Sequence, residues 1–168
     1  MNEPFNILFL CAGNSSRSIL AEALTTTLSH GRFIAFSAGA KPTGTVHPLA
    51  IELIKPTGYP IQLLRSKSWD EFGRESAPAM NFVITLCESA LGEHCPYWRG
   101  HPATAHWGFP DPAADDSKTR DEMLHSFKQV EKGLHDRIAL LMDLPLEKLD
   151  RSTIRERLQN IHHRLKYS

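Results

Sequence analysis

Asn6-Ile7-Leu8-Phe9-Leu10-Cys11-Ala12-Gly13-Asn14-Ser15-Ser16-Arg17-Ser18-Ile19-Leu20-Ala21-Glu22-Ala23-Leu24 decides the reading of this chain. The run up to Leu10 is apolar without alternation, as in a strand buried on both faces. The residues from about Ser16 to Ser29 read as a helix. A cysteine, five residues and an arginine therefore bridge the end of a strand and the start of a helix. The first turn of a helix leaves backbone N–H groups without intrahelical partners and adds partial positive charge, so anions settle there. Gly13 suits a sharp turn, and Asn14 tolerates the left-handed region. Arg17 offers a planar fork of donors to two oxygens of a tetrahedral oxyanion. The amides and side chains of Ala12, Gly13, Asn14, Ser15, Ser16, Arg17 and Ser18 are the candidate oxyanion-binding set.

The same field acts on Cys11. An ordinary thiol titrates near ~8.5, so only about 3% is thiolate at pH 7. A helix start and an arginine lower that value, and Ser18 is placed to bring a hydroxyl to the sulfur. A thiolate beside an anion cradle implies nucleophilic displacement at phosphorus or arsenic. The plainer alternative is a buried cysteine closing a strand, with Arg17 solvated.

Outward from this stretch, Phe33–Ser37 reads as a second strand ending at Ala38-Gly39 and Pro48–Ile54 as a short helix. Asn81–Leu86 reads as a third strand, Thr104–Trp107 as a short fourth, Thr119–Met142 as a long amphipathic helix and Ser152–Leu165 as a last one, capped by Asp150 or Ser152. Strands alternating with helices predict an α/β fold with a parallel sheet covered on both sides, and ligands beyond the carboxyl ends of its strands. Residues 1–168 contain no repeat or linker that divides them, so one domain is expected. With 19 basic and 19 acidic side chains the formal charge is zero, which gives no electrostatic case for nucleic acid or a membrane surface. No apolar run approaches the ~20 residues of a membrane span, and Met1-Asn2-Glu3-Pro4 lacks the features of a signal peptide. Three cysteines suit a reducing cytoplasm better than a disulfide scaffold.

Cys87 closes the third strand, on the same rim as Cys11, and Cys95 follows eight residues later. Three thiols suggest electron transfer by disulfide exchange, one thiol attacking and the next resolving the adduct. Cys87 as a mere buried strand end is the alternative. Zinc held by Cys87, Cys95, His94 and His101 is disfavoured by irregular spacing without a Cys-x-x-Cys pair. Asp111, in His106-Trp107-Gly108-Phe109-Pro110-Asp111-Pro112, is either a general acid aimed at the Cys11 loop or an ordinary Asp-Pro turn. His47, His162 and the other scattered histidines read as surface residues.

Cys11–Ser18, Ser37-Ala38-Gly39 and Asp111-Pro112 together resemble the low molecular weight protein tyrosine phosphatase superfamily. Within it, Ile84–Cys87, Gly92-Glu93-His94-Cys95-Pro96 and His106-Trp107-Gly108 resemble the thiol-dependent bacterial arsenate reductases. The resemblance implies a four-stranded parallel sheet in order 2-1-3-4. It implies that Cys11 attacks arsenate held by the loop amides and Arg17, with Asp111 protonating the departing oxygen. Cys87 then attacks the Cys11 sulfur and releases arsenite, and Cys95 moves the disulfide outward to Cys87–Cys95. Thioredoxin, or a glutathione and glutaredoxin couple, restores the thiols; no bound cofactor is implied. Some of these reductases hold a potassium ion beside the loop, for which Asn14, Glu22, Ser37 and Asp70 are the candidates here. Ser16 stands where many members carry cysteine, and Ala113-Ala114 where the phosphatases carry tyrosines. The alternative functions are phosphomonoester hydrolysis through Cys11, Arg17 and Asp111 alone, and oxyanion binding or redox sensing without catalysis.

Overall fold

The structure is a computed structural model and describes residues 3–91 and 96–166. Its sheet has four parallel strands, β1 (Phe5–Cys11), β2 (Phe33–Gly39), β3 (Phe82–Thr85) and β4 (Ala103–His106), in spatial order β2-β1-β3-β4. Helices α1 (Arg17–Ser29), α2 (Pro48–Ile54), α3 (Arg120–Met142) and α4 (Arg151–Lys166) flank it. The expected architecture and strand order are therefore present.

β1 sits at the centre because its side chains have no wet side. Ile7, Leu8, Phe9 and Leu10 are all fully buried, which only a strand paired on both edges and covered on both faces provides. α1 returns along β1 and β2 and packs against α3, which buries Phe127, Val130, Leu134, Ile138 and Leu141 at helical spacing. α3 opens with a reciprocal cap. Glu122 N donates to Thr119 Oγ1 at 3.1 Å and Thr119 N donates to Glu122 Oε1 at 3.0 Å, so two otherwise unpaired donors are satisfied. Asp150 caps α4 by accepting from Thr153 N at 2.7 Å; of the two expected caps it is the one used. Trp69 and Trp98, left without a role by the sequence, pack edge to face in the core.

The register places the chemistry on one rim. Cys11 lies opposite Gly39, Leu10 opposite Thr85, and Thr85 opposite His106. Beyond the strand ends, Leu86 N donates to Leu10 O at 2.8 Å and Phe109 N donates to Leu86 O at 2.9 Å. The segment carrying Asp111 is thus fastened to the residue that precedes Cys87. α4 fixes the outer strand. The Gln159 side chain donates to His106 O and accepts from His106 N, and Trp107, fully buried, donates its indole N–H to Leu158 O at 2.9 Å.

Candidate active site

The loop between β1 and α1 is shaped by where its carbonyls go. Those of Cys11, Ala12, Gly13 and Ser15 accept from the amides of Ala40, Lys41, Thr43 and His47 at 2.8–3.2 Å, all on the segment that leaves β2. With the carbonyls turned outward, the amides face the other way. Among the described residues, Gly13, Ser15 and Ser16 donate their N–H groups to no other group. Asn14 takes the left-handed conformation, with φ 47°, as its residue type allows. Gly13 does not; a Cβ there would lie 3.1 Å from the side-chain methyl Thr43 Cγ2, which would have to give by a few tenths of an ångström. The tighter constraint is Gly39, where a Cβ would meet Ala12 O at 2.5 Å and Asn14 N at 2.9 Å.

Cys11 is a free thiol, 2% exposed, with its sulfur turned into this loop. Asn14 N donates to the sulfur at 3.3 Å, and Ser18 Oγ lies 2.8 Å from it. The direction of the second bond follows from its neighbours. Asn14 Oδ1 accepts from Lys67 N at 2.9 Å, so Asn14 Nδ2 is the atom that faces Ser18 Oγ at 2.8 Å and Ser37 Oγ at 3.0 Å. Ser18 Oγ, already an acceptor, has its proton left for the sulfur. The sulfur therefore meets two donors, Asn14 N and Ser18 Oγ.

Below the loop lies a buried polar cluster. Ser37 Oγ donates to Glu22 Oε1 at 2.7 Å, and the Tyr59 hydroxyl donates to Glu22 Oε2 at 3.0 Å. Burial, then the neighbouring Glu22 charge, pushes the Tyr59 phenol well above its usual range, so it stays a donor. Three of the four residues expected around a potassium ion, Asn14, Glu22 and Ser37, do converge. Asp70 is exposed on the turn Trp69–Phe72 and does not belong with them. The place between the three is filled by Lys67, whose ammonium donates to Arg65 O at 2.8 Å, Ser37 Oγ at 3.3 Å and Asn14 Oδ1 at 3.4 Å and pairs with Glu22 Oε1 at 3.8 Å. A potassium ion does not fit where an ammonium already takes the same oxygens.

Arg17 opens α1, is 9% exposed, and donates from Nη1 to Phe109 O at 2.9 Å. Arg17, Cys87, Glu88, His106, Asp111 and His162 line one cavity of about 480 Å³. Three sequence-selected residues from separate segments, Arg17, Cys87 and Asp111, thus share a wall. Asp111 is exposed, and its Oδ1 accepts from Ala113 N at 2.9 Å, so its local geometry is that of the ordinary turn that was the alternative expectation, set at the cavity edge. Cys87 is buried. Cys95, with Gly92, Glu93 and His94, lies outside the described residues. Ser16 Oγ is buried and has no hydrogen-bond partner among the described residues.

Several contributors carried no readable signal. His47, read as a surface residue, caps α2 through Nδ1, stacks on Phe127 with centroids 4.7 Å apart and feels the charge of Asp111; burial lowers its pKa and Asp111 partly restores it. Arg137 is buried, donates from Nε to His162 Nδ1 at 2.9 Å and lies over the Phe109 ring at 4.7 Å. These two residues form the wall behind the carbonyl that Arg17 uses. Lys67 sits in a polar stretch, Arg65-Ser66-Lys67-Ser68, that has no periodicity to mark it as buried.

A model of the low molecular weight phosphotyrosine protein phosphatase family matches residues 6–156. The chain belongs to that family. Proteins similar to it include an arsenate reductase of Oceanobacillus iheyensis, 33% identical over 132 residues that make up 79% of this chain and 91% of the relative. Arsenate reductase 1 of Staphylococcus epidermidis is 35% identical over 121 residues, 70% of this chain and 88% of the relative. An arsenate reductase solved in its oxidized state superposes with a TM-score of 0.63 at 26% identity, covering 82% of this chain and 95% of that one. Another, solved in a phosphate-binding state, gives 0.60 at 27% identity over 80% and 97%. Residues 157–166 of α4 lie beyond the family match. No helix among the described residues is long and apolar enough to cross a membrane.

Proposed function

We propose that this chain reduces arsenate to arsenite through a thiolate at Cys11 and a relay through Cys87 and Cys95. The observation that carries the reading is the Cys11 sulfur, held by Asn14 N and Ser18 Oγ inside a loop where the carbonyls of Cys11, Ala12, Gly13 and Ser15 turn outward. The relatives named as arsenate reductases, and the one solved in a phosphate-binding state, support the choice of a tetrahedral oxyanion as substrate.

In this reading, the inward amides from Ala12 to Ser18 and the Arg17 guanidinium bind arsenate. Cys11 attacks arsenic, and one oxygen leaves as water after taking a proton from Asp111. Arsenic is still pentavalent in this adduct. Cys87 as thiolate then attacks the Cys11 sulfur. The sulfur–arsenic pair of electrons passes to arsenic, which departs as arsenite, and a Cys11–Cys87 disulfide forms. Cys95 attacks Cys87, frees Cys11 as thiolate and carries the oxidation to a Cys87–Cys95 disulfide. An external thiol reductant, thioredoxin or glutathione with glutaredoxin, returns both thiols. The cavity lined by Arg17, Cys87 and Asp111 puts the resolving thiol beside the arginine of the oxyanion set; Cys11 is not in its lining, so the middle step requires Cys87 to approach the Cys11 loop.

Phosphomonoester hydrolysis is the second reading, favoured by the family match; in it Cys11, Arg17 and Asp111 act without the relay. One substitution separates the two. Cys87→Ser is expected to abolish multiple-turnover arsenate reduction and to leave p-nitrophenyl phosphate hydrolysis within about twofold of the parent. Arsenate turnover at the parental rate in both Cys87→Ser and Cys95→Ser would remove the relay. Cys11→Ser is expected to stop both reactions.

A further inference from the structure

Lys67 is 9% exposed, and the reaction above does not use it. Its ammonium sits among four oxygens from four parts of the chain, namely Arg65 O, Ser37 Oγ, Asn14 Oδ1 and the Glu22 carboxylate. That is the donor set of a hard-cation site, all oxygen and one carboxylate. Its backbone is fixed as well. Lys67 N donates to Asn14 Oδ1 at 2.9 Å, Lys67 O accepts from Gly39 N at 3.0 Å, and Ser68 bridges to Gly39 as an added parallel pair. Lys67 therefore grips Asn14 Oδ1 twice, from N and from Nζ. That grip decides which way the Asn14 amide points, and the Asn14 amide decides which atom of Ser18 faces the Cys11 sulfur.

We propose that Lys67 is a tethered cation that organises the oxyanion loop, so that anion binding and Cys11 reactivity need no alkali metal ion. Lys67 is a positioning residue, since it touches neither the sulfur nor the space above the amides. The proposal rests on the reading of the Cys11 loop as an oxyanion site. A chain with this lysine keeps its cation at any salt composition, whereas a loop built around a bound ion follows the ion's concentration. The carboxylate of Glu22 is the counter-charge. Without Lys67 it is buried with only the Ser37 and Tyr59 hydroxyls as donors.

The test uses inorganic phosphate as the probe and iodoacetamide alkylation of Cys11 as a second readout. Both are measured in potassium, sodium and choline chloride at equal ionic strength. The wild type is expected to bind phosphate equally in the three salts, within about twofold, and to show one alkylation midpoint. Lys67→Met keeps length and removes charge; it is expected to bind phosphate about tenfold more weakly and to alkylate with a midpoint at higher pH. Lys67→Ala leaves room for a small cation. Its phosphate affinity is expected to recover severalfold with potassium or sodium and not with choline. Phosphate binding by the wild type that rises about fivefold or more from choline to potassium overturns the proposal. So does a Lys67→Met protein that matches the wild type in both readouts, or a Lys67→Ala protein that no small cation restores. If neither variant folds, the wild-type salt comparison decides alone. A wild type that binds no phosphate in any salt sinks the oxyanion reading instead, and the alkylation midpoints then decide about Lys67.

Discussion

Gly39 shows how tightly the Cys11 loop is set against the strand beside it. A Cβ at this position would lie 2.5 Å from Ala12 O, and backbone at that distance has to move. Gly39→Ala is therefore expected to cost about 1–3 kcal/mol of stability and to weaken phosphate binding more than tenfold. Urea denaturation and calorimetric titration check the two halves; unchanged phosphate affinity would mean that the loop tolerates the shift. His162 carries a different consequence. Burial first, then the charge of Arg137 and, less, those of His106, Lys166 and His163, lower its pKa to about 4. In the unfolded chain the imidazole titrates near ~6.5. Between these values the unfolded state binds the extra proton, so the stabilisation is fully present above ~6.5 and is lost as pH falls toward 4. The loss is on the order of 2–3 kcal/mol. Urea midpoints at pH 7 and pH 4.5 should differ accordingly, and His162→Gln, which keeps an acceptor for Arg137, should shrink the difference by about half or more.

Among the elements, α3 does two separable jobs, and each has its own variant. Its first turn is held by the Thr119–Glu122 cap, remote from the loop amides. Thr119→Ala is expected to cost about 1 kcal/mol and to leave phosphate affinity unchanged. Its middle supports the active rim. Gly133 faces the Phe109 ring, and a Cβ there would sit 2.6 Å from Phe109 Cε1. Gly133→Ala favours the helix by roughly 0.5–1 kcal/mol in isolation. Here it is expected to displace the ring and the Phe109 carbonyl that Arg17 uses, lowering kcat/KM for p-nitrophenyl phosphate about tenfold or more without destroying the fold. A Gly133→Ala enzyme with parental kcat/KM would show that Arg17 does not depend on this wall.

Across the fold, what was legible in the sequence divides from what was not by the range of the contacts involved. The strands, the long helices and the Cys11 loop have local signatures, an apolar run, a 3.6-residue spacing or a turn residue, so their positions came within a few residues. The sheet order 2-1-3-4 was reached through a resemblance rather than from periodicity. The buried cation is the opposite case. Lys67 is joined to Asn14, 53 positions earlier, and to Ser37, 30 positions earlier, and no pattern along the chain encodes either contact. The Arg137–His162 pair spans 25 positions and links two helices whose polar residues read as solvated faces. The potassium expectation went astray for that reason. The three oxygen donors were recognisable by type, while the lysine that sits where the ion was expected is brought in by a short pairing of Ser68 with the end of β2.

The relay itself is tested most directly by a single turnover of arsenate on the fully reduced protein, without external reductant, followed by mass spectrometry of the disulfides. The wild type should release one arsenite per chain and hold a Cys87–Cys95 bond, and Cys95→Ser should stop at Cys11–Cys87. Arsenite released with Cys11 and Cys87 both still reduced in Cys95→Ser would contradict the account.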